Sequence, residues 1–117
     1  MQITLETGDN VAIIKISGRM VFDESMFLLR VHVQDSLRSG IERFVIDISE
    51  VPYLDSSACG EVIGAYTSIA KAHGSLAFVN PTERVRVLWT RIKIVEILPI
   101  FDTLDDALKF VRRNPDS

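Results

Sequence analysis

Three side chains suited to capping or phosphate chemistry stand side by side in the stretch VPYLDSSACGE, residues 51–61: Asp55, Ser56 and Ser57. They lie between a predicted buried strand and a predicted helix, and each is a good N-cap residue. One N-cap is enough to satisfy an orphan N–H at the start of the helix. A phosphate on a neighbouring serine would be stabilised by the helix dipole by about 0.3–1 kcal/mol while adding about −1.5 to −2 charge. The residues thus allow a phosphorylation site at Ser56 or Ser57.

Neither nucleophilic catalysis nor metal binding fits the rest of the sequence. A serine hydrolase needs a base and a nucleophile elbow, yet there is no GxSxG motif, and His32 and His73 fall in predicted helices. The one cysteine, Cys59, excludes an internal disulfide and a multi-cysteine zinc site, and its place on an apolar stripe favours a buried thiol. We expect no catalytic residue, no metal and no cofactor.

The composition indicates one domain with protein partners. The 117 residues suffice for a single core, 47% of them are hydrophobic, 25% are charged, and the formal net charge is −3. A negative net charge disfavours binding to nucleic acid or to anionic membranes. Because the N-terminus lacks a signal-peptide pattern and no apolar run reaches the length of a membrane span, we expect a cytoplasmic protein without membrane insertion.

The strands that must position the serines alternate with helices. ITLE and VAIIKIS, joined by Gly8 to Asn10, predict an antiparallel hairpin, and RFVIDIS predicts a central strand. SLAFVN predicts a fourth strand. Since Pro99 interrupts the next apolar run, we expect only a short edge strand near Ile100 and Phe101.

Four helices are predicted between and after these strands. The second runs from Ser56 to about His73, with Gly74 as its stop, and the last covers Thr103 to Val111. The third begins at Asn80 or Thr82. The core positions expected in the first and third helices are Phe22, Met26, Leu29, Val33 and Leu37, and Val85, Leu88, Trp89 and Ile92.

The order ββαβαβαβα predicts an α/β fold, a mixed and mostly parallel sheet of about five strands with about four helices. We expect residues 1–112 to form this domain and residues 113–117 to form a short tail. Functional groups in such sheets gather at the carboxyl ends of strands, and the serines occupy one such end. Asp47, near the carboxyl end of the central strand, either lies close to them or has a hydrogen-bonded structural role.

Small residues line one face of the second helix. Gly60, Gly64 and Ser68 are spaced by four, which suits either a neighbouring helix of the domain or the backbone of a partner. If the face meets a partner, a phosphate on Ser56 or Ser57 would enter the interface beside Asp55. Such like-charge contacts cost several kcal/mol, so the serines would act as an electrostatic switch.

Two further surfaces have both a structural and a binding interpretation. The first helix carries apolar residues on the flank that ought to be solvated, where they are either covered or form a contact surface. The third helix is basic, which gives it either a solvated face or a contact for an acidic partner. These residues are Phe27, Leu28 and Val31, and Arg84, Arg86, Arg91 and Lys93, respectively.

The N-terminal hairpin, the FVIDISEVPYLDSSACGEVIG block and the terminal helices resemble the STAS domain of bacterial anti-sigma factor antagonists. The family signature is D-S-S/T-G-L-G at the start of a helix, where this chain has Asp55, Ser56 and Ser57 but Ala58 and Cys59 in place of Gly and Leu. The resemblance implies that Ser56, with Ser57 as the alternative, accepts phosphate from an anti-sigma factor that is also a serine kinase. Only the unphosphorylated antagonist would then bind this kinase and release the sigma factor.

The resemblance also implies the surroundings of the phosphorylated serine. The family often has an aspartate three residues after the glycine that ends the second strand, but Val21 holds that position here, and Asp23 either substitutes for it or caps the first helix. Together with Asp55 and Asp47, Asp23 completes the predicted phosphosite environment. The predicted partner contacts are Ser57, Ala58, Gly60, Glu61 and Gly64.

The expected partners are therefore an anti-sigma factor kinase and a serine phosphatase, with a weak homodimer and without nucleic acid. Two other functions remain open for a STAS protein: an accessory subunit of a phospholipid ABC transport complex, and a scaffold of a stress-signalling assembly. Neither of these functions requires phosphate turnover at Ser56.

Overall fold

The computed structural model describes residues 1–23 and 27–113. It opens with an antiparallel hairpin of β1 (Gln2–Gly8) and β2 (Val11–Ser17), which pair in continuous register from Gln2 opposite Ser17 to Gly8 opposite Val11. The two turn residues, Asp9 and Asn10, have φ of 53° and 64°. Positive φ at both central positions matches the twist of the flanking strands, and Asp and Asn tolerate it well, which explains the tight hairpin.

The other three strands run parallel to β2, so the predicted mixed sheet is confirmed. They are β3 (Arg43–Glu50), β4 (Ser75–Val79) and β5 (Ile100–Phe101), and the spatial order is β1-β2-β3-β4-β5. The edge strand β5 has two residues, as Pro99 led us to expect. β3 is the central strand, and its carboxyl end leads directly to the serines.

Four α-helices cover the two faces of the sheet: α1 (Leu28–Arg38), α2 (Ser56–Lys71), α3 (Glu83–Arg91) and α4 (Leu104–Arg113). The larger core lies under α1, α2 and α3, where Trp89 packs edge-on against Phe78 with ring centroids 5.6 Å apart. The smaller core joins α4 to the opposite face through Val45, Ala107 and Val111. No described helix is both long and apolar enough to cross a membrane.

The start of the first helix was predicted wrongly. We expected Phe22 on the core stripe, but it is 71% exposed and lies ahead of α1, which begins at Leu28. Around Met20 the chain instead pairs with the segment ahead of α2: the N–H of Met20 donates to the carbonyl of Tyr53 (3.0 Å), and the N–H of Asp55 donates to the carbonyl of Met20 (3.1 Å). Met26, another expected core residue, lies outside the described residues.

Smaller differences occur further along the chain. A short 3₁₀ helix, Ile94–Glu96, follows α3 and was not predicted, and Ile92, expected in the core, is about half exposed. The helix α2 ends at Lys71, and His73 rather than Gly74 takes the left-handed conformation, with φ of 62°. Four residues of the predicted tail, 114–117, lie outside the described residues, whereas Arg113 is the last residue of α4.

Candidate functional site

Asp55 is the N-cap of α2. Its backbone is extended, with φ of −94° and ψ of −178°, and its Oδ1 accepts a 2.9 Å hydrogen bond from the N–H of Ala58. Its Oδ2 accepts a second bond of 2.9 Å, from the N–H of Phe22 in the connection after β2. One carboxylate therefore satisfies the helix start and also fixes the neighbouring connection.

The same contacts keep Asp55 ionised. The hydrogen bond from the Ala58 N–H, followed by that from the Phe22 N–H, lowers the pKa of Asp55 below its ordinary value, against a smaller opposing effect of burial. A fixed negative charge thus sits at the first turn of α2, where the helix dipole favours it.

The two serines next to Asp55 are exposed, and neither hydroxyl has a hydrogen-bond partner among the described residues. Since Asp55 performs the capping, α2 does not depend on either serine for its start. We refer to Asp55, Ser56 and Ser57 as the Asp55 corner. Both hydroxyls of this corner are accessible to a modifying enzyme.

The other predicted acidic residues are placed differently. Asp23 is exposed and directly follows Phe22, whose N–H is bonded to Asp55. Asp47 lies on the α4 face of the sheet together with Val45, since side chains along a strand alternate between faces. Its Oδ1 accepts a 2.9 Å bond from the N–H of Ser49, so Asp47 has a hydrogen-bonded structural role at the end of β3.

The small-residue face of α2 is open. A groove of about 480 Å³ runs between α1 and α2, and a Cβ built on Gly60 or Gly64 would meet no atom within 4 Å. We call it the α1–α2 groove; its lining includes Arg30, Gln34, Ser57, Gly60, Gly64 and Ser68. The face that we considered either covered by a helix or free for a partner is therefore free within the described part of the chain.

Two of the predicted partner contacts are not surface residues. Ala58 lies on the buried face of α2 and is fully enclosed in the core. Its prediction as a direct partner contact is therefore corrected. Glu61 is only 9% exposed, and its Oε1 accepts a 2.7 Å hydrogen bond from Nη2 of Arg30 at the base of the α1–α2 groove. Sequence reasoning missed Arg30, since a pairing between residues of two helices leaves no local pattern.

An apolar surface adjoins the groove. Phe27, Leu28 and Val31, which we considered either covered or free, are exposed on α1, and Val31 is 51% exposed. Phe22 is also exposed, and its backbone N–H is bonded to Asp55, so a further exposed apolar residue adjoins the Asp55 corner. We call Phe27, Leu28 and Val31 the α1 flank. Exposed apolar groups of this kind are common at binding surfaces.

No group of three or more His, Cys, Asp or Glu side chains among residues 1–23 and 27–113 could hold a metal ion. Cys59 is buried, and burial raises the pKa of its thiol above the ordinary value, which favours the protonated form.

Known proteins resemble this chain along nearly its whole length. Residues 2–107 match the STAS domain family. An anti-sigma F factor antagonist of Paenibacillus polymyxa is 27% identical over 109 residues, covering 92% of each chain. Among solved structures, the Thermotoga maritima protein TM1081 is 26% identical with a TM-score of 0.85 over 94% of each chain. An anti-sigma factor antagonist from Mycobacterium paratuberculosis is 25% identical with a TM-score of 0.80, over 95% of this chain and 93% of that one.

More distant structures share the fold alone. The anti-sigma factor antagonist SpoIIAA in its unphosphorylated form is 19% identical with a TM-score of 0.72, over 95% of this chain and 98% of that one. The family match, the five-stranded mixed sheet and the D-S-S motif at the start of α2 agree with one another. The chain belongs to the STAS domain family.

Proposed function

We propose that this protein is an anti-sigma factor antagonist that binds an anti-sigma factor kinase while Ser56 is unphosphorylated, and so releases the sigma factor. The observation that carries the proposal is that Asp55, and neither serine, caps α2. Asp55 alone makes the capping bond, which leaves the exposed Ser56 hydroxyl available as a phosphate acceptor. Relatives described as anti-sigma factor antagonists support the same function.

The switch follows from charge. A phosphate on Ser56 adds about −1.5 to −2 charge at the first turn of α2, where the free N–H groups tolerate it. The neighbouring Asp55 is already ionised, so the modified corner presents two anionic groups to a partner. Like-charge contacts in an interface cost several kcal/mol, which corresponds to a loss of affinity of about a hundredfold or more.

The partner would contact the surface around the corner. Ser57, Gly60 and Gly64 line the α1–α2 groove without bulky side chains, so another backbone can approach closely. The α1 flank supplies the apolar area that a stable interface needs at its centre.

The unmodified protein would act as a binding protein in the cytoplasm without catalysing a reaction. A serine phosphatase would restore this form after phosphorylation.

The proposal is tested by mapping phosphate on the protein purified from its own cells, with intact-mass and peptide mass spectrometry, under growth and stress conditions. A Ser57→Ala variant is the matched control for Ser56→Ala, because both hydroxyls are exposed on the same turn. We expect one phosphate, located at Ser56, lost in Ser56→Ala and retained in Ser57→Ala.

The absence of phosphate under every condition, together with unchanged partners of the Ser56→Ala variant, would contradict the switch. Stable association with a transporter ATPase in that case would favour the subunit of a phospholipid transport complex. Incorporation into a large self-associated particle would favour the scaffold of a stress-signalling assembly.

A further inference from the structure

A second cluster of functional groups lies beside the connection between β3 and α2. The guanidinium carbon of Arg84 lies 4.8 Å from the centroid of the Tyr53 ring, and that of Arg19 lies 5.5 Å from it. Next to this ring is a pocket of about 200 Å³. We call it the Tyr53 pocket; its lining includes Tyr53, Leu54, Arg84, Val87, Leu88 and Arg91.

The pocket is lined by two arginines of α3, Arg84 and Arg91. Among the described residues, no carboxylate forms an ion pair with Arg84 or Arg91. Arg86, on the same helix, is different, since its Nη2 is 2.8 Å from Oδ1 of Asp102. Of these three arginines of α3, Arg86 is paired and lies outside the pocket, whereas Arg84 and Arg91 line it.

The contact between Arg84 and the Tyr53 ring suits this arginine to the recognition of an anion. Stacking of a guanidinium on an aromatic ring restricts the side chain, so less conformational entropy is lost when its N–H groups bind. The fork of N–H donors matches a carboxylate, and charge-assisted hydrogen bonds of this kind are among the stronger ones in proteins. Arg84 therefore has the features of a preorganised carboxylate receptor.

The pocket also has apolar walls. Leu54, Leu88 and the exposed Val87 adjoin the arginines, so an apolar side chain beside the anion would be buried as well. A volume of about 200 Å³ is smaller than the roughly 300–1,000 Å³ of most small-molecule sites. It suits one or two side chains of a peptide better than a nucleotide, and the net charge of −3 disfavours a long polyanion.

We infer that the Tyr53 pocket binds a peptide segment of a protein partner in which an Asp or Glu stands next to a large apolar residue, with Arg84 and Arg91 holding the carboxylate. This binding goes beyond the switch at Ser56, because no group of the pocket requires a phosphate. Leu54 of the pocket directly precedes Asp55, so the pocket adjoins the Asp55 corner. The start of α3 is tied to the segment ahead of the pocket residues, where the carbonyl of Val51 accepts a 3.3 Å bond from Oγ1 of Thr82.

The test is a selection of random peptides displayed on phage against the purified, unphosphorylated protein. Enriched peptides are synthesised with a fluorescent label, and their affinities are measured by anisotropy. We expect the selected peptides to share an acidic residue beside an apolar one. NMR shifts on titration should concentrate at Tyr53, Leu54 and Val87.

Matched variants decide whether the arginines are responsible. Arg84→Ala and Arg91→Ala should each weaken binding by about tenfold or more, as expected for the loss of a charge-assisted hydrogen bond. Arg86→Ala is the control on the same helix and should bind as the wild type does. Replacing the acidic residue of the peptide by its amide should cause a loss similar to that of Arg84→Ala.

Three results would overturn the inference: selected peptides without acidic residues, an equal effect of Arg84→Ala and Arg86→Ala, or displacement of the peptides by ATP or by a DNA oligonucleotide at lower concentrations than by the peptides themselves. The Ser56→Ala variant should bind the peptides normally. Failure of this inference therefore leaves the phosphorylation of Ser56 untouched, and the reverse also holds.

Discussion

The backbone N–H of Phe22 and the carboxylate of Asp55 are joined by a 2.9 Å hydrogen bond, although they lie 33 positions apart in the sequence. The second oxygen of the same carboxylate caps α2 through the N–H of Ala58. Asp55 therefore holds the exposed Phe22 and the start of α2 in one arrangement, and the geometry around Ser56 depends on it.

The variant Asp55→Ala should lower stability, because it removes both acceptors and leaves two backbone N–H groups without them. Asp55→Asn keeps one acceptor oxygen and should give an intermediate loss. The measurement is the urea midpoint at neutral pH, followed by circular dichroism. Ser56→Ala is the control and should stay within about 0.5 kcal/mol of the wild type, as is usual for exposed positions without such contacts. Equal losses for Ser56→Ala and Asp55→Ala would show that the serine also supports the helix.

The contribution of Asp55 to stability should disappear in acid. Its pKa is lower in the folded protein than in the unfolded chain, so its contribution is fully present above the unfolded value near 4 and is lost as the pH falls through the folded value. The stability difference between wild type and Asp55→Asn should be constant from about pH 7 to 5 and shrink below about pH 4. Urea unfolding at a series of pH values measures this difference. A stability difference that grows as the pH falls would contradict the lowered pKa of Asp55.

Much of the fold could be predicted because its signals are local. Alternating apolar residues indicate the hairpin, a nearly continuous apolar run indicates the central strand, and the turn residues Asp9 and Asn10 mark the point of reversal. The start of α2 could be placed at Ser56 because three N-cap candidates follow a buried strand after a short connection. Pro99 similarly foretold the short edge strand β5.

Contacts between distant segments were missed, since no local pattern encodes them. The spacing of Phe22 from the following apolar residues fits a helix stripe. In the structure, however, its N–H is hydrogen-bonded to Asp55, and Phe22 lies in the connection ahead of α1. The pairing of Arg30 with Glu61 depends on how α1 packs against α2, and the contact of Tyr53 with Arg84 depends on the position of α3. Neither contact could be predicted from the sequence. The sequence singled out the serines and the two neighbouring surfaces, whereas the tertiary structure was needed to show that these surfaces are exposed.

Loss of the Arg30 side chain should destabilise the protein by about 1–2 kcal/mol, because the nearly buried carboxylate of Glu61 would lose its partner. We expect a loss of stability at the lower end of what a buried, unpaired charge costs, since the Arg30 side chain is itself partly solvated. The measurement is a double-mutant cycle of Arg30→Ala and Glu61→Gln in urea. Arg38→Ala, which breaks an exposed pair with Asp35, is the control and should cost less than about 0.5 kcal/mol. Additive effects of Arg30→Ala and Glu61→Gln would mean that the pair contributes nothing.

Two glycines of the chain should respond in opposite directions to the same substitution. Gly64→Ala should stabilise the protein by about 0.5–1 kcal/mol, because a Cβ there meets only open space in the α1–α2 groove and alanine favours the helix. Gly74→Ala should destabilise it by about 1–3 kcal/mol, since its Cβ would stand 2.5 Å from the carbonyl oxygen of Glu42 and force the backbone to shift. Thermal and urea unfolding of both variants measures the difference. A loss of stability in Gly64→Ala would indicate that the groove is closed in solution, so that the partner surface proposed for Gly60 and Gly64 would have to lie elsewhere.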